Sequence, residues 1–414
     1  MKKKKILMIL NYFYPDVAST GQLMTELCEE LQDEFDITVI AGFPNYTGNI
    51  PEQYKGKRIV REKYQNVNIL RVRVPEFDKT NKASRIKYIL SYFFNSILAI
   101  MKSGKQDIVY TISQPPILGG VLGVIGKTFK RAKFIYNIQD FNPEQIEAVG
   151  YSKSKFIIEA ARSVDKLSCR LSNKVLVVGR DMQETLKKRF NNKKVPDSVV
   201  INNWTNEKEI YPLEKNHPKV RAFMEKYDLK DKFVFMYSGN IGLYYDLENI
   251  IKVIGEFKDN KNVVFAFVGE GAVKQQLVDY CNENNVQNVK FIPYQDKKDL
   301  IYSLNAADAH IVTNAKGIKG VSVPSKVYGV MATGKSIWAV LEEGSEARTL
   351  IEECNCGVTC APEEYYEMKN MIEKLISMDS NELNSMGMNG RKHIEQGYTK
   401  QASTSKYKEL LNNV

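Results

Sequence analysis

Short apolar runs typical of β-strands alternate with helical patterns along nearly all of the 414 residues. Such alternation predicts parallel sheets with helices on both faces. A polar stretch from Asn202 to Pro218 interrupts the pattern, which then restarts. We therefore predict an α/β protein with two doubly wound halves and a boundary near residue 205. The predicted strands are 6–10, 37–40, 67–74, 107–112, 133–138 and 174–178, then 233–237, 263–268, 289–292, 309–312 and 337–340.

The stretch 233–250 reads FVFMYSGNIGLYYDLENI, which predicts a strand, a glycine turn and a helix beginning near Asp246. Glycines let backbone N–H groups approach an anion, and a helix N-terminus adds partial positive charge. The stretch is therefore a candidate phosphate site, although the glycines could equally serve the turn alone.

The formal net charge of +10 and the pI near 9.0 suggest an acidic partner. The basic residues are scattered and no nucleic-acid-binding motif is present, so we favour phosphates and an anionic membrane surface over nucleic acid. The apolar run after Lys5 ends at Asn11 without a cleavage site, which favours a first strand over a signal peptide. Six cysteines in this length favour a reducing cytoplasm. Three of them, Cys354, Cys356 and Cys360, lack a nearby fourth ligand, and we expect no metal site.

Residues 88–101 contain no charged side chain, and basic residues surround them. Fourteen residues are too few for a membrane-spanning helix, which needs about 20. The segment is either a core helix or a helix lying on the membrane. In the second interpretation, basic side chains meet anionic head groups: Lys79, Lys82, Arg85, Lys87, Lys102 and Lys105.

Further motifs accompany the glycine turn, in an order that resembles the GT-B glycosyltransferases of the retaining family 4. The closest resemblance is to the bacterial surface-polysaccharide branch of WbuB-type L-fucosamine (FucNAc) transferases. It covers nearly the whole chain and depends on these segments: 12–15 (YFYP), 20–22 (TGQ), 25–27 (TEL), 44–48 (PNYTG), 139–140 (QD), 200–204 (VINNW), 239–242 (GNIG), 269–271 (GEG), 293–294 (PY) and 323–326 (VPSK).

The resemblance implies two Rossmann-like domains facing across a cleft. Residues 1–205, with a helix at about 398–414 crossing back, would form the acceptor-binding domain, and residues 206–397 the nucleotide-sugar-binding domain. For the donor it implies that Gly239, Asn240 and Gly242 cradle a diphosphate that Lys326 neutralises. Glu270 and Gly271 would lie near the nucleoside, with the Pro293-Tyr294 backbone at the base. Val321 and Ser322 would offer N–H groups to sugar hydroxyls, beside Ser325.

For the acceptor the resemblance implies Tyr14, Thr20, Gln22, Asn45 and Gln139. Gly21, Asp140 and Lys326 would form the catalytic set. From the residues alone, Asp140 could instead cap a turn, and Ser325-Lys326 could be a solvated helix start.

Two departures from the family pattern stand out. Val321 and Gly329 occupy the positions of two glutamates, the second of which usually holds the ribose. Leu243, Tyr244 and Tyr245 follow Gly242 where a basic residue is usual. These changes question the ribose contact and leave more of the phosphate charge to Lys326.

The resemblance implies a cytoplasmic enzyme on the inner-membrane surface that transfers a sugar from a UDP-sugar to a polyprenyl-diphosphate-linked saccharide. The expected sugar is an N-acetylated deoxyhexosamine such as FucNAc, and the expected product is capsule or O-antigen. No histidine is placed to act as a base, and none is needed, because the leaving phosphate is the proton acceptor in retaining transferases. No cofactor is implied, and no metal is expected, because the sequence offers no Asp-x-Asp pair at a strand end. The alternatives are a non-catalytic scaffold and a UDP-sugar epimerase, which would need acid/base groups absent from these motifs.

Overall fold

The chain folds into two α/β units, each built on one sheet. The computed structural model describes residues 3–16, 18–45, 49–76, 82–148, 150 and 154–414. The first unit contains the chain up to Asn202 together with Thr404–Val414, and the second contains Asn203–Ser403. Tyr46, Thr47, Gly48 and Lys79, which the sequence analysis singled out, lie outside the described residues.

The first unit contains an eight-stranded sheet in the order β3-β4-β2-β1-β5-β6-β7-β8. All neighbours pair in parallel except β3, which is antiparallel to β4. The central strands β1 and β5 are almost wholly buried, as expected for strands covered on both faces. The strands are β1 (Lys5–Ile9), β2 (Asp36–Gly42), β3 (Ile59–Tyr64), β4 (Val67–Val72), β5 (Ile108–Ile112), β6 (Lys133–Ile138), β7 (Lys174–Val177) and β8 (Ser198–Val200).

The helices of the first unit connect these strands. They are α1 (Ser19–Leu31), α2 (Lys82–Lys102), α3 (Leu118–Lys130), α4 (Glu144–Ala148), α5 (Lys155–Leu171) and α6 (Arg180–Arg189), with a 3-10 turn at Glu52–Tyr54. Parallel neighbours require such crossover connections. The helices α2, α3 and α5 lie side by side, with α3 in the middle.

The second unit contains a six-stranded parallel sheet in the order β11-β10-β9-β12-β13-β14. Its strands are β9 (Phe233–Ser238), β10 (Val263–Val268), β11 (Val289–Ile292), β12 (Ala309–Thr313), β13 (Ser336–Val340) and β14 (Gly357–Cys360). The helices are α7 (Pro218–Lys226), α8 (Leu247–Gly255), α9 (Lys274–Glu283), α10 (Leu300–Asn305), α11 (Lys326–Ala332), α12 (Glu346–Cys354), α13 (Tyr365–Ser377) and α14 (Ser380–Gly397). Two 3-10 turns lie at Leu243–Tyr245 and Lys297–Asp299.

The last helix, α15 (Lys400–Asn413), begins in the second unit and ends in the first. Tyr407 is fully buried, and its hydroxyl accepts a hydrogen bond from Asn137 Nδ2 at 3.2 Å. Lys4 Nζ donates to the carbonyls of Leu411 and Asn412 at 3.2 and 2.8 Å. The C-terminal residues therefore form part of the core and rim of the first unit.

The segment predicted as a core or membrane-surface helix lies in α2 and has two distinct sides. Tyr88, Tyr92 and Ile100 are buried, whereas Ile86 and Phe94 are each 59% exposed. The interpretation as a core helix thus describes only the buried side of α2. Across the described ranges, no helix combines the length and the apolar character needed to cross a bilayer.

Candidate functional site

The donor-site residues predicted in the second unit lie at one edge of its sheet. Because β11, β10, β9 and β12 are adjacent and parallel, their carboxyl ends share that edge. The predicted residues follow these ends in turn: Pro293 and Tyr294 after β11, Glu270 and Gly271 after β10, Gly239, Asn240 and Gly242 after β9, and Val321 and Ser322 in the loop after β12.

Two glycine turns, 239–242 and 269–271, pack backbone against backbone. Gly239 N–H donates to the Val268 carbonyl and Ile241 N–H to the Glu270 carbonyl, both at 2.9 Å. A Cβ on Gly269 would lie 2.0 Å from the Gly239 carbonyl oxygen, and one on Gly271 would lie 2.1 Å from that of Ile241. The second turn therefore needs its glycines in order to hold the first.

The alternate N–H groups of the first turn remain available. Within the part of the chain that the structure describes, the backbone N–H groups of Asn240 and Gly242 donate no hydrogen bond. Tyr237 Oη donates to the Asn240 carbonyl at 2.6 Å and fixes the orientation of that peptide. Unpaired N–H groups in a fixed turn are suited to binding an anion.

Lys326 lies against this turn. Its Nζ is buried and has no hydrogen-bond partner among the described residues. A Cβ on Gly239 would be 3.7 Å from that Nζ. The ammonium instead contacts two aromatic faces, with ring centroids of Tyr237 at 3.7 Å and Tyr245 at 4.2 Å. Burial holds the pKa of Lys326 well below its usual range.

This arrangement has an energetic consequence. A desolvated cation–π contact contributes about 2 kcal/mol, whereas burying an unpaired ammonium costs several kcal/mol. Burial of the Lys326 ammonium therefore lowers the stability of the protein when no anion is bound, and a bound anion would offset that cost. Sequence reasoning identified Lys326 but missed Tyr237 and Tyr245, because their contacts with it join segments more than eighty positions apart.

The strand, the glycine turn and the helix predicted to begin near Asp246 are confirmed, but a further turn that was not predicted lies between the glycines and the helix. The 3-10 turn Leu243–Tyr245 intervenes, and α8 begins only after Asp246. Tyr244 and Tyr245 carbonyls accept from Ala315 N–H at 2.8 Å and Thr313 Oγ1 at 3.0 Å. These two hydrogen bonds hold the backbone of the 3-10 turn in place and so fix Tyr245 beside Lys326.

Other predicted donor residues have protein partners in this structure. Glu270 forms an ion pair with Lys274 at 2.7 Å. The Pro293 carbonyl accepts from Gln295 Nε2 at 2.6 Å, and Tyr294 is 59% exposed. The N–H groups of Val321 and Ser322 both donate to the Ile318 carbonyl, at 2.9 and 3.4 Å. Contact of these groups with a sugar donor stays a prediction. The N–H groups of Val321 and Ser322 would have to release the Ile318 carbonyl before they could bind one.

Ser325 directly precedes α11, and Gly329 lies within that helix. A Cβ on Gly329 would meet only Thr205 Oγ1, at 3.9 Å, so the position has room for a side chain. The site thus contains open space where the family pattern has a glutamate.

The acceptor residues predicted in the first unit also share a sheet edge, because β2, β1, β5 and β6 are neighbours. Thr20 Oγ1 accepts from Gln114 Nε2 at 3.5 Å. The adjacent Ser113 Oγ accepts from the backbone N–H groups of Gln139 and Asp140 at 3.0 and 3.2 Å. Ser113 and Gln114 therefore link the two predicted segments, and a polar pair directly after a buried strand was the signal that could have identified them.

Gly21 and Gln22 lie in the first turn of α1. A Cβ on Gly21 would be 3.1 Å from Tyr12 Cβ, so the glycine lets α1 pack closely on the loop after β1. The Asp140 carboxylate accepts from Gln145 Nε2 at 3.3 Å. A catalytic role for either residue stays a prediction.

Asn45 and Tyr14 differ in exposure. Asn45 is 1% exposed, and neither side-chain atom has a hydrogen-bond partner among the described residues. Tyr14 is half-exposed and stacks on Tyr64 with ring centroids 4.2 Å apart. No described residue thus uses the hydrogen-bonding capacity of the Asn45 amide at this edge.

All six cysteines are free thiols. Over the described ranges, no group of three or more histidine, cysteine, aspartate or glutamate side chains could hold a metal ion. Burial and the neighbouring Cys354 thiol raise the pKa of Cys356 far above its usual range. We assign no metal ligand here.

Residues 219–393 match the family model described as "Glycosyl transferases group 1". This match covers most of the second unit. The chain is also similar to two bacterial proteins. It is 27% identical to the probable glycosyltransferase WbjE of Pseudomonas aeruginosa, over 97% of this chain and 96% of that protein. It is 25% identical to the putative colanic acid biosynthesis glycosyl transferase WcaI of Escherichia coli K12, over 84% and 86%.

The crystal structure of Anabaena Alr3699/HepE in complex with UDP and glucose superposes with a TM-score of 0.72 at 14% identity. The match covers 99% of this chain and 100% of that one. The fold is that of the GT-B glycosyltransferases. The predicted GT-B class is confirmed, as is the presence of two Rossmann-like units. The finer resemblance to WbuB-type transferases stays a prediction.

Proposed function

We propose that this protein is a glycosyltransferase that moves a sugar from a UDP-sugar to a saccharide carried on a polyprenyl diphosphate. The observation that carries the proposal is the buried Lys326 ammonium, which has no acceptor among the described residues and lies against the glycine turn 239–242. This turn is within the segment that matches the group 1 glycosyl transferases.

The chemistry of transfer explains the need for such a site. The bond from the anomeric carbon to the diphosphate breaks, a bond to an acceptor hydroxyl oxygen forms, and negative charge develops on the leaving diphosphate. Lys326 and the N–H groups of Asn240 and Gly242 would bind that charge, and fixed donors of this kind stabilise a transition state most effectively. The proton of the acceptor hydroxyl would pass to the leaving phosphate, which gives retention of configuration.

Support for the UDP donor comes from Alr3699/HepE, which was crystallised with UDP and glucose. Support for a polysaccharide product comes from WcaI, whose name refers to colanic acid biosynthesis. Within the proposal, the sugar is an N-acetylated deoxyhexosamine such as FucNAc and the product is capsule or O-antigen. No metal or cofactor is assigned, since Lys326 supplies the positive charge.

The acceptor would bind at the edge of the first unit that contains Thr20, Asn45 and Gln139. Because its lipid is embedded in the inner membrane, the enzyme would act at the cytoplasmic face as a peripheral protein. Unused amide groups such as that of Asn45 suit the recognition of sugar hydroxyls.

The test is a panel of nucleotide-sugars, with UDP and GDP as controls, scored by thermal stabilisation and by slow hydrolysis of each donor. A ligand that binds the folded state stabilises it by mass action, so the panel needs no acceptor. We expect stabilisation by UDP and by one UDP-hexosamine. If no nucleotide stabilises the protein, the proposal is wrong and the scaffold alternative replaces it.

Lys326→Met tests the role of the ammonium. Methionine keeps much of the volume but removes the charge, so we expect at least a tenfold loss of UDP affinity. The free energy of unfolding of this variant should be about 1 kcal/mol higher than that of the wild type, because the variant has no unpaired buried charge. Lys252→Met, at an exposed position of α8, is the matched control. Unchanged UDP affinity in Lys326→Met would contradict the assignment.

A further inference from the structure

Helix α5 buries as many polar as apolar side chains and exposes most of its large apolar ones. Its inward side contains polar residues: Asp165 is buried and accepts from Tyr136 Oη at 2.7 Å, and Ser168 is also buried. Its outward side contains large apolar residues, among them Phe156 (84% exposed) and Leu167 (54% exposed). An outward apolar stripe contributes nothing to the core and indicates a surface that has a partner.

The neighbouring helices extend this stripe. Of the sixteen large hydrophobic side chains that are exposed in the described ranges, ten lie on α2, α3 and α5. Because these helices are adjacent, their apolar side chains form one surface, which we call the three-helix face. On α2 the residues Ile86, Leu90 and Phe94 recur every four positions along one side.

The charges around the three-helix face are mainly basic, and the exposed acidic side chain of α5, Glu159, is ion-paired with Arg162. Neither α2 nor α3 contains an acidic residue. Arg85 and Lys87 are exposed on α2, and Lys127 and Lys130 end α3. Lys127 Nζ donates to the Leu171 carbonyl at 2.7 Å, and Lys130 Nζ donates to the Met101 carbonyl at 3.3 Å. Basic groups therefore border the apolar residues at the helix ends as well.

We propose that the three-helix face docks on an anionic phospholipid surface. The apolar side chains would enter the boundary between head groups and acyl chains, and each basic residue near the surface would add attraction to anionic lipid. The proposal deepens the proposed function, on which it depends for the membrane location of the acceptor. It extends the membrane-surface interpretation of residues 88–101 to a surface that also includes α3 and α5.

Charge favours lipid over a second copy of the chain. In a twofold self-contact the same patch meets itself, so the basic border of one copy would face the basic border of the other. Like charges brought together in this way oppose association.

The experiment is co-sedimentation of the full-length protein with vesicles of phosphatidylcholine mixed with phosphatidylglycerol, compared with vesicles of phosphatidylcholine alone. We expect binding to the mixed vesicles that decreases at high salt. Phe156→Ser combined with Leu167→Ser should weaken it at least tenfold, and Arg85→Glu combined with Lys87→Glu should abolish the preference for phosphatidylglycerol. The matched controls are Tyr366→Ser, which changes another highly exposed aromatic residue, and Lys261→Glu.

Two results would overturn the proposal. One is undiminished vesicle binding by the Phe156/Leu167 variant. The other is self-association of the wild type, detected by sedimentation velocity, that this variant abolishes. Thermal stabilisation by UDP, measured without vesicles, separates this proposal from the proposed function. If the protein binds vesicles but not UDP, only the proposed function is wrong. If it binds UDP but not vesicles, only the docking surface is wrong.

Discussion

Glycine has different physical roles at two positions of the same edge. Gly271 has no space for a Cβ, because the Ile241 carbonyl oxygen would be 2.1 Å away. Gly329 has space, since the nearest atom would be 3.9 Å away. Sequence reasoning placed Gly271 near the nucleoside and treated Gly329 as a departure at a glutamate position. It could not show which of the two has room for a side chain, because that depends on the neighbouring segments.

We therefore expect opposite effects of alanine at these positions. Gly271→Ala should lower the free energy of unfolding by about 1–3 kcal/mol, because the two glycine turns must separate. Gly329→Ala should raise it by about 0.5–1 kcal/mol, because alanine suits a helix interior better. Urea unfolding of the two variants measures both effects. Equal destabilisation by both substitutions would contradict this account of the turns.

At the scale of single elements, the central strands were predictable because they are short, apolar and buried on both faces. Strand β3 was not predicted, since its exposed residues Arg61 and Lys63 give an edge strand little apolar signal. The 3-10 turn after Gly242 was also missed. It depends on hydrogen bonds from Thr313, the last residue of β12, and from Ala315, which follows that strand.

Strand β12 contains a titratable group that links stability to pH. His310 is 1% exposed, its Nε2 lies 2.9 Å from the Leu304 carbonyl oxygen, and burial lowers its pKa to about 4. The unfolded chain binds a proton near pH 6.5, where the folded chain does not. Stability should therefore decrease as the pH falls from 6.5 towards 4, by about 3 kcal/mol from this residue.

Urea unfolding of wild type and His310→Gln at both ends of this range measures that contribution. The variant should lose less stability on acidification than the wild type, and His217→Gln serves as the matched control. Identical pH dependence in wild type and His310→Gln would show that the buried imidazole is not the responsible group.

At the scale of the whole molecule, the restart of the strand and helix alternation predicted two units and placed their boundary within a few residues of Asn203. The candidate donor and acceptor edges followed from strand order and from the resemblance. The contacts of Lys326 with the rings of Tyr237 and Tyr245 could not be predicted, and neither could the three-helix face. Each depends on side chains that only the tertiary fold brings together.

The first unit depends on the far end of the chain. Tyr407→Ala should destabilise this unit by about 3–5 kcal/mol, since it empties a buried aromatic site and removes the hydrogen bond to Asn137. Hydrogen exchange of β5 and β6 would detect the loss, with Tyr366→Ala as an exposed control. Unchanged protection of these strands would mean that α15 is dispensable.

That dependence also determines when the first unit can complete its folding during synthesis. The residues from Thr404 onward are synthesised after the whole of the second unit, yet they complete the core built around strands that are synthesised before it. Domains usually fold as they emerge, from the N-terminus onward. Here the first unit must wait until the residues after Ser403 have been synthesised, so a chain that stops before Thr404 would carry a complete second unit and an incomplete first one.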